Sequence, residues 1–167
     1  MDRIWATWRM AYISDKKHKY EGCIFCDFPK AGDDKEYKIL HRGKFAYIIM
    51  NAYPYSNGHL MVIPYRHTND FTSLSEEEAT EIMALGQLAI KALKKAYNPD
   101  GFNVGWNLGE VAGAGIAQHI HMHVVPRWNG DTNFMPVIGD VRVIPEDLAV
   151  GYEKIKKAID EIMQNAK

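Results

Sequence analysis

Several features are scarce or missing in the chain. Cysteine occurs only twice in 167 residues, too sparsely for a disulfide-stapled secreted fold. No apolar run approaches the roughly 20 residues that span a bilayer. The first residues, MDRIWATWRMAYI, mix charge with aromatics and lack a signal-peptide core or a small-residue cleavage site. Charge of one sign is scarce as well: 20 Lys and Arg against 21 Asp and Glu leave a formal net charge of −1. These absences predict a cytoplasmic protein with no membrane span and no overall positive field for nucleic acid. A phosphate ligand must then be held by local groups such as backbone amides, histidines or a single arginine. Internal repeats and low-complexity stretches are absent too.

What is present fits one globular domain over residues 1–167, with 47% hydrophobic and 25% charged residues. Residues 1–30 read as an irregular leader. Tyr37–His41 and Phe45–Met50 read as strands joined at Arg42-Gly43. The loop NAYPYSNG leads to a third strand, His59–Ile63, stopped by Pro64. Ser75 opens a helix, with Glu78 three residues on as in a capping box. Ile82, Leu85, Ala89, Ala92 and Ala96 form its apolar stripe, and Asn98-Pro99-Asp100-Gly101 ends it. Phe102–Trp106 is a fourth strand, Leu108–Gly115 a small-residue loop, and His119–Val125 a fifth strand ended by Pro126. Beyond Pro145 a second helical stripe, Leu148, Tyr152, Ile155, Ile159 and Ile162, predicts a C-terminal helix over 146–165. The order β-β-β-α-β-β-α predicts an α+β fold: a five-stranded, mainly antiparallel sheet with one long central helix and a C-terminal helix.

The sharpest local signal is His119-Ile120-His121-Met122-His123. On a strand, alternate side chains share a face, so the three histidines line one side while Ile120, Met122 and Val124 line the other. Seven histidines scattered at random give this triple in about one such chain in a hundred. A neutral imidazole is nucleophilic near neutral pH, and its neighbours can bind phosphate oxygens or hand a proton to a leaving group. A row of histidines therefore suits nucleotidyl or phosphoryl transfer. A metal site using all three is disfavoured, because the outer pair is too far apart to share an ion. Cys23 and Cys26 supply half of a tetrahedral metal site or else a redox pair; a thioredoxin-like pair needs a βαβ context that is missing here.

The run His119-Ile120-His121-Met122-His123-Val124-Val125 resembles the signature of the histidine-triad family, three alternating histidines followed by apolar residues. The resemblance extends from Gly22 to about Gly139 and includes Gly58-His59-Leu60-Met61-Val62-Ile63-Pro64 with His67, and Gly101-Phe102-Asn103. It implies that His121 is the nucleophile, forming a covalent nucleotidyl-histidine. It also implies that His123 touches the α-phosphate and the bridging oxygen, with His59 in the buried network that orients the site and Asn51 at the ribose. His119 counts among the catalytic histidines, yet in zinc-bearing members the first triad histidine and the one after the Gly-His strand complete a zinc site with the cysteine pair. Here those ligands are Cys23, Cys26, His67 and His119, with zinc in a structural role. Members are typically homodimers with sheets joined edge to edge.

Within the family, Ala112-Gly113-Ala114-Gly115-Ile116, Val125-Pro126-Arg127-Trp128, Gly130-Asp131-Thr132-Asn133-Phe134 and the leader Trp5–Tyr12 look like the bacterial diadenosine tetraphosphate phosphorylases. The fragile-histidine-triad-like dinucleoside polyphosphate hydrolases are the neighbouring group. Gly115-Ile116-Ala117 stands where hydrolase-type members carry Gln-Ser/Thr-Val, which leaves room for inorganic phosphate. Asn107, Gly113, Gly115 and Ile116 are candidate substrate contacts, since glycines let backbone amides approach a phosphate. Arg127 either meets phosphate or caps a strand end. Trp128 and Trp106 either border the nucleotide or pack in the core or a dimer. The leading function is cleavage of dinucleoside polyphosphates, by phosphate or by water. Nucleoside phosphoramidate hydrolysis is an alternative, and a nucleotide-binding signalling module is the alternative of another class.

Overall fold

The computed structural model of the chain describes residues 22–132 and 144–165. The leader motif Trp5–Tyr12 and the stretch from Asn133 to Gly139 lie outside the described residues.

Three strands follow one another as a meander: β1 (Ile39–Arg42), β2 (Ala46–Met50) and β3 (Leu60–Pro64). Later come β4 (Gly101–Trp106) and β5 (Met122–Arg127). The sheet order is β1-β2-β3-β5-β4, with every neighbouring pair antiparallel. The last strand in sequence thus inserts between β3 and β4. Among the described residues the helices are α1 (Ile24–Ala31), α2 (Glu76–Tyr97) and α3 (Leu148–Gln164). None is long and apolar enough to cross a membrane.

Period-two alternation divides the strand residues between two cores. Ala46, Ile48, Met50, Leu60, Val62, Met122 and Val124 pack against the stripes of α2 and α3. Tyr47, Ile49, Met61 and Ile63 turn to the other face and pack with Cys23 and Phe25 at the start of α1. Because both faces are covered, β2 and β3 are buried along their whole length. The face carrying the histidines is this second one, with His123 opposite Met61 across the β3–β5 pair.

The ends of the helices follow their sequence signals. The Ser75 hydroxyl accepts from the Glu78 N–H while the Glu78 carboxylate accepts from the Ser75 N–H, closing the capping box. Asn98 ends α2 in the left-handed region at φ 48°, a conformation asparagine tolerates. Asp147 caps α3 by accepting from the Ala149 N–H.

Two readings are corrected. The leader, expected to be irregular through residue 30, is helical from Ile24. The fifth strand begins at Met122 rather than His119 and runs through Pro126 to Arg127. Pairing with β3 covers only Met122 to Val124, so beyond Val124 the strand has β4 alone beside it. A residue without an N–H is tolerated where one neighbour is missing, and Pro126 pairs with Phe102 of β4. His119 to His121 are held by individual bonds instead, such as the Ile120 N–H donating to the Thr68 carbonyl at 2.8 Å.

Candidate active site

Four buried histidines form the centre: His59, His119, His121 and His123, none more than 8% exposed. The ring centroids of His121 and His123 are 4.8 Å apart, and those of His59 and His123 are 5.1 Å apart. Burial disfavours the charged imidazolium. It holds His123 down at about 4 and pushes His121 below its ordinary value. Both rings are therefore neutral at physiological pH, each with one protonated and one bare nitrogen.

The hydrogen bonds decide which nitrogen is which. A carbonyl can only accept, so His121 Nδ1, 2.9 Å from the His119 carbonyl oxygen, carries the proton. His121 Nε2 is left with a free lone pair. His59 Nδ1 accepts from the Tyr55 main-chain N–H at 3.1 Å, and the Asn51 amide lies 3.2 Å from the same nitrogen. The His59 proton is then on Nε2, which donates to His123 Nδ1 at 2.9 Å. His123 must carry its proton on Nε2. Two adjacent imidazoles thus present opposite chemistry: a bare nitrogen on His121 and an N–H on His123. The Asn107 side-chain nitrogen lies 3.5 Å from His123 Nε2, at the long limit of a hydrogen bond.

His119 is fixed the other way round. Its Nε2 donates to the Pro64 carbonyl at 2.8 Å, so the bare nitrogen is Nδ1. That atom lies 3.2 Å from Cys23 Sγ and 3.5 Å from Cys26 Sγ, and His67 Nδ1 lies 3.3 Å from Cys26 Sγ. The four donor atoms all fall within 4.8 Å of one another. A tetrahedral ion with about 2.3 Å bonds to sulfur and about 2.0 Å bonds to nitrogen needs sulfur–nitrogen edges of about 3.5 Å. The cluster fits such an ion. Burial and the neighbouring Cys23 thiol push the Cys26 thiol up to about 11, so with no cation beside it the thiol stays protonated.

The other sequence candidates divide. Asn51 is at the site, but its amide is turned inward, to His59 Nδ1 and to the Tyr53 N–H. Gly109 and Gly113 adopt φ of 86° and 95°, where glycine is needed. The turn they frame takes the N–H groups of Ala112, Gly113 and Ala114 into internal bonds. Gly113 therefore shapes the loop beside Asn107 with its own N–H already engaged. Gly115 lies exposed on the way to the histidines, and Ile116 packs on the core that holds Phe25.

Arg127 stands at the end of β5. Its guanidinium is engaged by Asp131 at 2.5 and 2.7 Å and by the Asn103 oxygen at 2.7 Å. It also lies four residues, about 13 Å, along the strand from His123. Trp128 follows it at that end, half-buried, and Trp106 packs edge-on against Phe71 and the α2 core. Two residues of the site were not anticipated. The Tyr55 ring lies 4.5 Å from His59 and 5.5 Å from His123. Phe25 lies 5.0 Å from His121 and 5.6 Å from His119. Position between the two cysteines was the available signal for Phe25.

Comparison with known proteins agrees with this geometry. Residues 33–130 match the HIT domain. The chain is 42% identical, over 87% of its length and 78% of the relative's, to a protein of Mycobacterium tuberculosis named AP-4-A phosphorylase. It is 31% identical to an uncharacterised HIT-like protein of Saccharolobus solfataricus, over 86% of this chain and 99% of that one. Among solved structures, a Zn-bound histidine triad family protein from Mycobacterium smegmatis superposes with a TM-score of 0.71 at 26% identity, covering 86% of this chain and 97% of the other. With the family's domain matched over more than half the chain and its histidines gathered into one buried row, this protein belongs to the histidine-triad, or HIT, family.

Proposed function

We propose that the chain is an enzyme that splits dinucleoside polyphosphates, diadenosine tetraphosphate foremost, through a nucleotidyl-His121 intermediate. The observation that carries the reading is the opposed protonation of His121 and His123. His121 Nε2, its ring anchored through Nδ1, bonds to the α-phosphorus as the bond from phosphorus to the bridging oxygen breaks. The His123 Nε2–H hydrogen-bonds that oxygen as it gains charge. His59 and the Tyr55 N–H keep the His123 proton on the correct nitrogen. An acceptor oxygen then attacks phosphorus, the nitrogen–phosphorus bond breaks, and His121 is restored.

With phosphate as acceptor, diadenosine tetraphosphate gives ATP and ADP; with water it gives ATP and AMP. The name of the mycobacterial relative supports phosphate, as does Gly115 in place of a glutamine side chain. A bound phosphate supplies a high effective concentration of the attacking oxygen. Asn51, Asn107, Gly115 and Ile116 are the groups assigned to ribose and phosphate, and Arg127 and Trp128 are left at the strand end. Zinc is the ion assigned to Cys23, Cys26, His67 and His119, and bound there it would tie α1 to the histidine segment without entering the chemistry. The Zn-bound mycobacterial structure supports that choice. A homodimer belongs to the same reading, since β4 is an edge strand with Val104 exposed.

Incubation with diadenosine tetraphosphate, with and without millimolar phosphate, tests the reading by product mass. Faster cleavage with phosphate to ATP and ADP is expected. Products of ATP and AMP that ignore phosphate turn the assignment to a hydrolase, and no cleavage under either condition overturns it.

A further inference from the structure

We propose that Phe25 is a positioning residue for the nucleophile: its ring is the wall that holds the His121 imidazole in its reactive orientation. The inference rests on the reading of His121 as nucleophile and extends it to a residue inside the Cys-x-x-Cys turn.

The Nδ1–H bond to the His119 carbonyl fixes one atom of the His121 ring, and a single bond leaves the ring free to rock about it. His123 meets His121 at a steep angle, 76° between ring planes, from one side. Phe25 meets it from another, with centroids 5.0 Å apart and planes at 57°. The same Phe25 ring lies edge-on to His119 at 90°. It therefore fills the corner between the residue that supplies the anchoring carbonyl and the residue that uses it.

Phe25 is itself unusually well held. It is 3% exposed and flanked in sequence by Cys23 and Cys26, two donors of the four-atom cluster. Its main-chain carbonyl has a partner of a special kind. In a helix the Phe25 carbonyl would accept from the N–H of residue 29, but residue 29 is proline, which has none. The vacancy is filled by the buried hydroxyl of Tyr47 on β2, which donates to the Phe25 carbonyl at 2.7 Å. Burial raises the Tyr47 hydroxyl above its ordinary value, so it stays protonated as a donor. Pro29 and Tyr47 together nail the α1 backbone to the sheet at the residue whose ring faces the nucleophile. A wall fixed this firmly suits orientation, because an error of about 1 Å at a reacting atom can cost on the order of a hundredfold in rate.

The test is Phe25→Leu, which keeps an apolar side chain of similar bulk and removes the flat ring; Phe25→Met carries the same readouts if the leucine variant does not fold. The expected result is a fall in kcat of about ten- to a hundredfold with KM within about twofold and the metal content of the wild type. In parallel, 15N spectra of histidine-labelled protein at pH 8, with the His121 signals assigned by loss in His121→Asn, should show one Nδ1–H tautomer in the wild type. In the variant the same ring should show averaged or broadened signals. That spectrum needs no substrate, so it stands even if dinucleotide cleavage itself fails in the wild type. Unchanged kcat together with an unchanged spectrum overturns the proposal. So does a rise in KM at unchanged kcat, which makes Phe25 a wall for substrate. So does a loss of kcat that tracks loss of metal, which makes it a support of the cluster alone.

Discussion

His119 and His121 are two residues apart, both buried and chemically identical, yet they are bonded in opposite senses. His119 donates from Nε2 to the Pro64 carbonyl and turns Nδ1 to the thiols. His121 donates from Nδ1 to the His119 carbonyl and keeps Nε2 bare. One ring presents Nδ1 to the thiols and the other leaves Nε2 bare; the proposed function gives the first to a metal ion and the second to phosphorus. The residue type does not make the difference; the main-chain carbonyl that each ring meets does. The comparison teaches that a row of like residues acquires distinct roles through the backbone around it.

The comparison breaks hardest at the proposed nucleophile. His121→Asn should lower turnover of diadenosine tetraphosphate at least about a thousandfold and leave the melting temperature within a few degrees. Rapid quenching with substrate labelled at the α-phosphate should trap label on the wild type and none on the variant. Wild-type rates in the variant would erase the distinction between the two rings.

The cluster side comes next. Elemental analysis of protein purified without added metal should find one zinc per chain, and chelation should lower the melting temperature by more than about 5 °C. His67→Ala should lose the ion as well. Metal-free protein of full stability would leave His119 with no use for its bare Nδ1.

The smallest effect concerns protons. The folded His123 value of about 4 lies below the ordinary 6.5. Between those values the unfolded chain takes up a proton that the folded chain refuses, so this residue's contribution is fully present above pH 6.5 and is lost as pH falls toward 4. Melting curves from pH 7.5 to 5 should slope downward, and His123→Gln should flatten the slope. An equal slope in both proteins would place the sensitivity at another group.

Much of this was legible in the sequence. Alternation and turn residues placed all five strands to within a few residues, and Ser75 with Glu78 marked the start of α2. The four metal-site residues come together as the family resemblance implied. The extent of β5 was not legible, because alternating histidines fit a strand equally well whether or not a neighbour pairs with all of it. The α1 helix was hidden by its brevity and by Pro29, whose cost is met by Tyr47 from a distant strand. The engagement of Arg127 by Asn103 and the contact of Phe25 with His121 are tertiary facts. Local pattern carries no trace of which carbonyl or carboxylate will be near.

The insertion of β5 between β3 and β4 has a consequence for assembly. His59 and His123 are 64 positions apart in sequence, and their contact exists only once that strand has entered the sheet. The meander of β1, β2 and β3 can form from neighbouring residues, with short loops to close. The His59–His123 hydrogen bond cannot, and the segment bearing His119 and His121 reaches the Cys-x-x-Cys turn only across a span of more than ninety residues. A chain that has not yet placed β5 therefore holds the hydrophobic meander with His59 at its end, but lacks the contacts that His119 and His123 make with it.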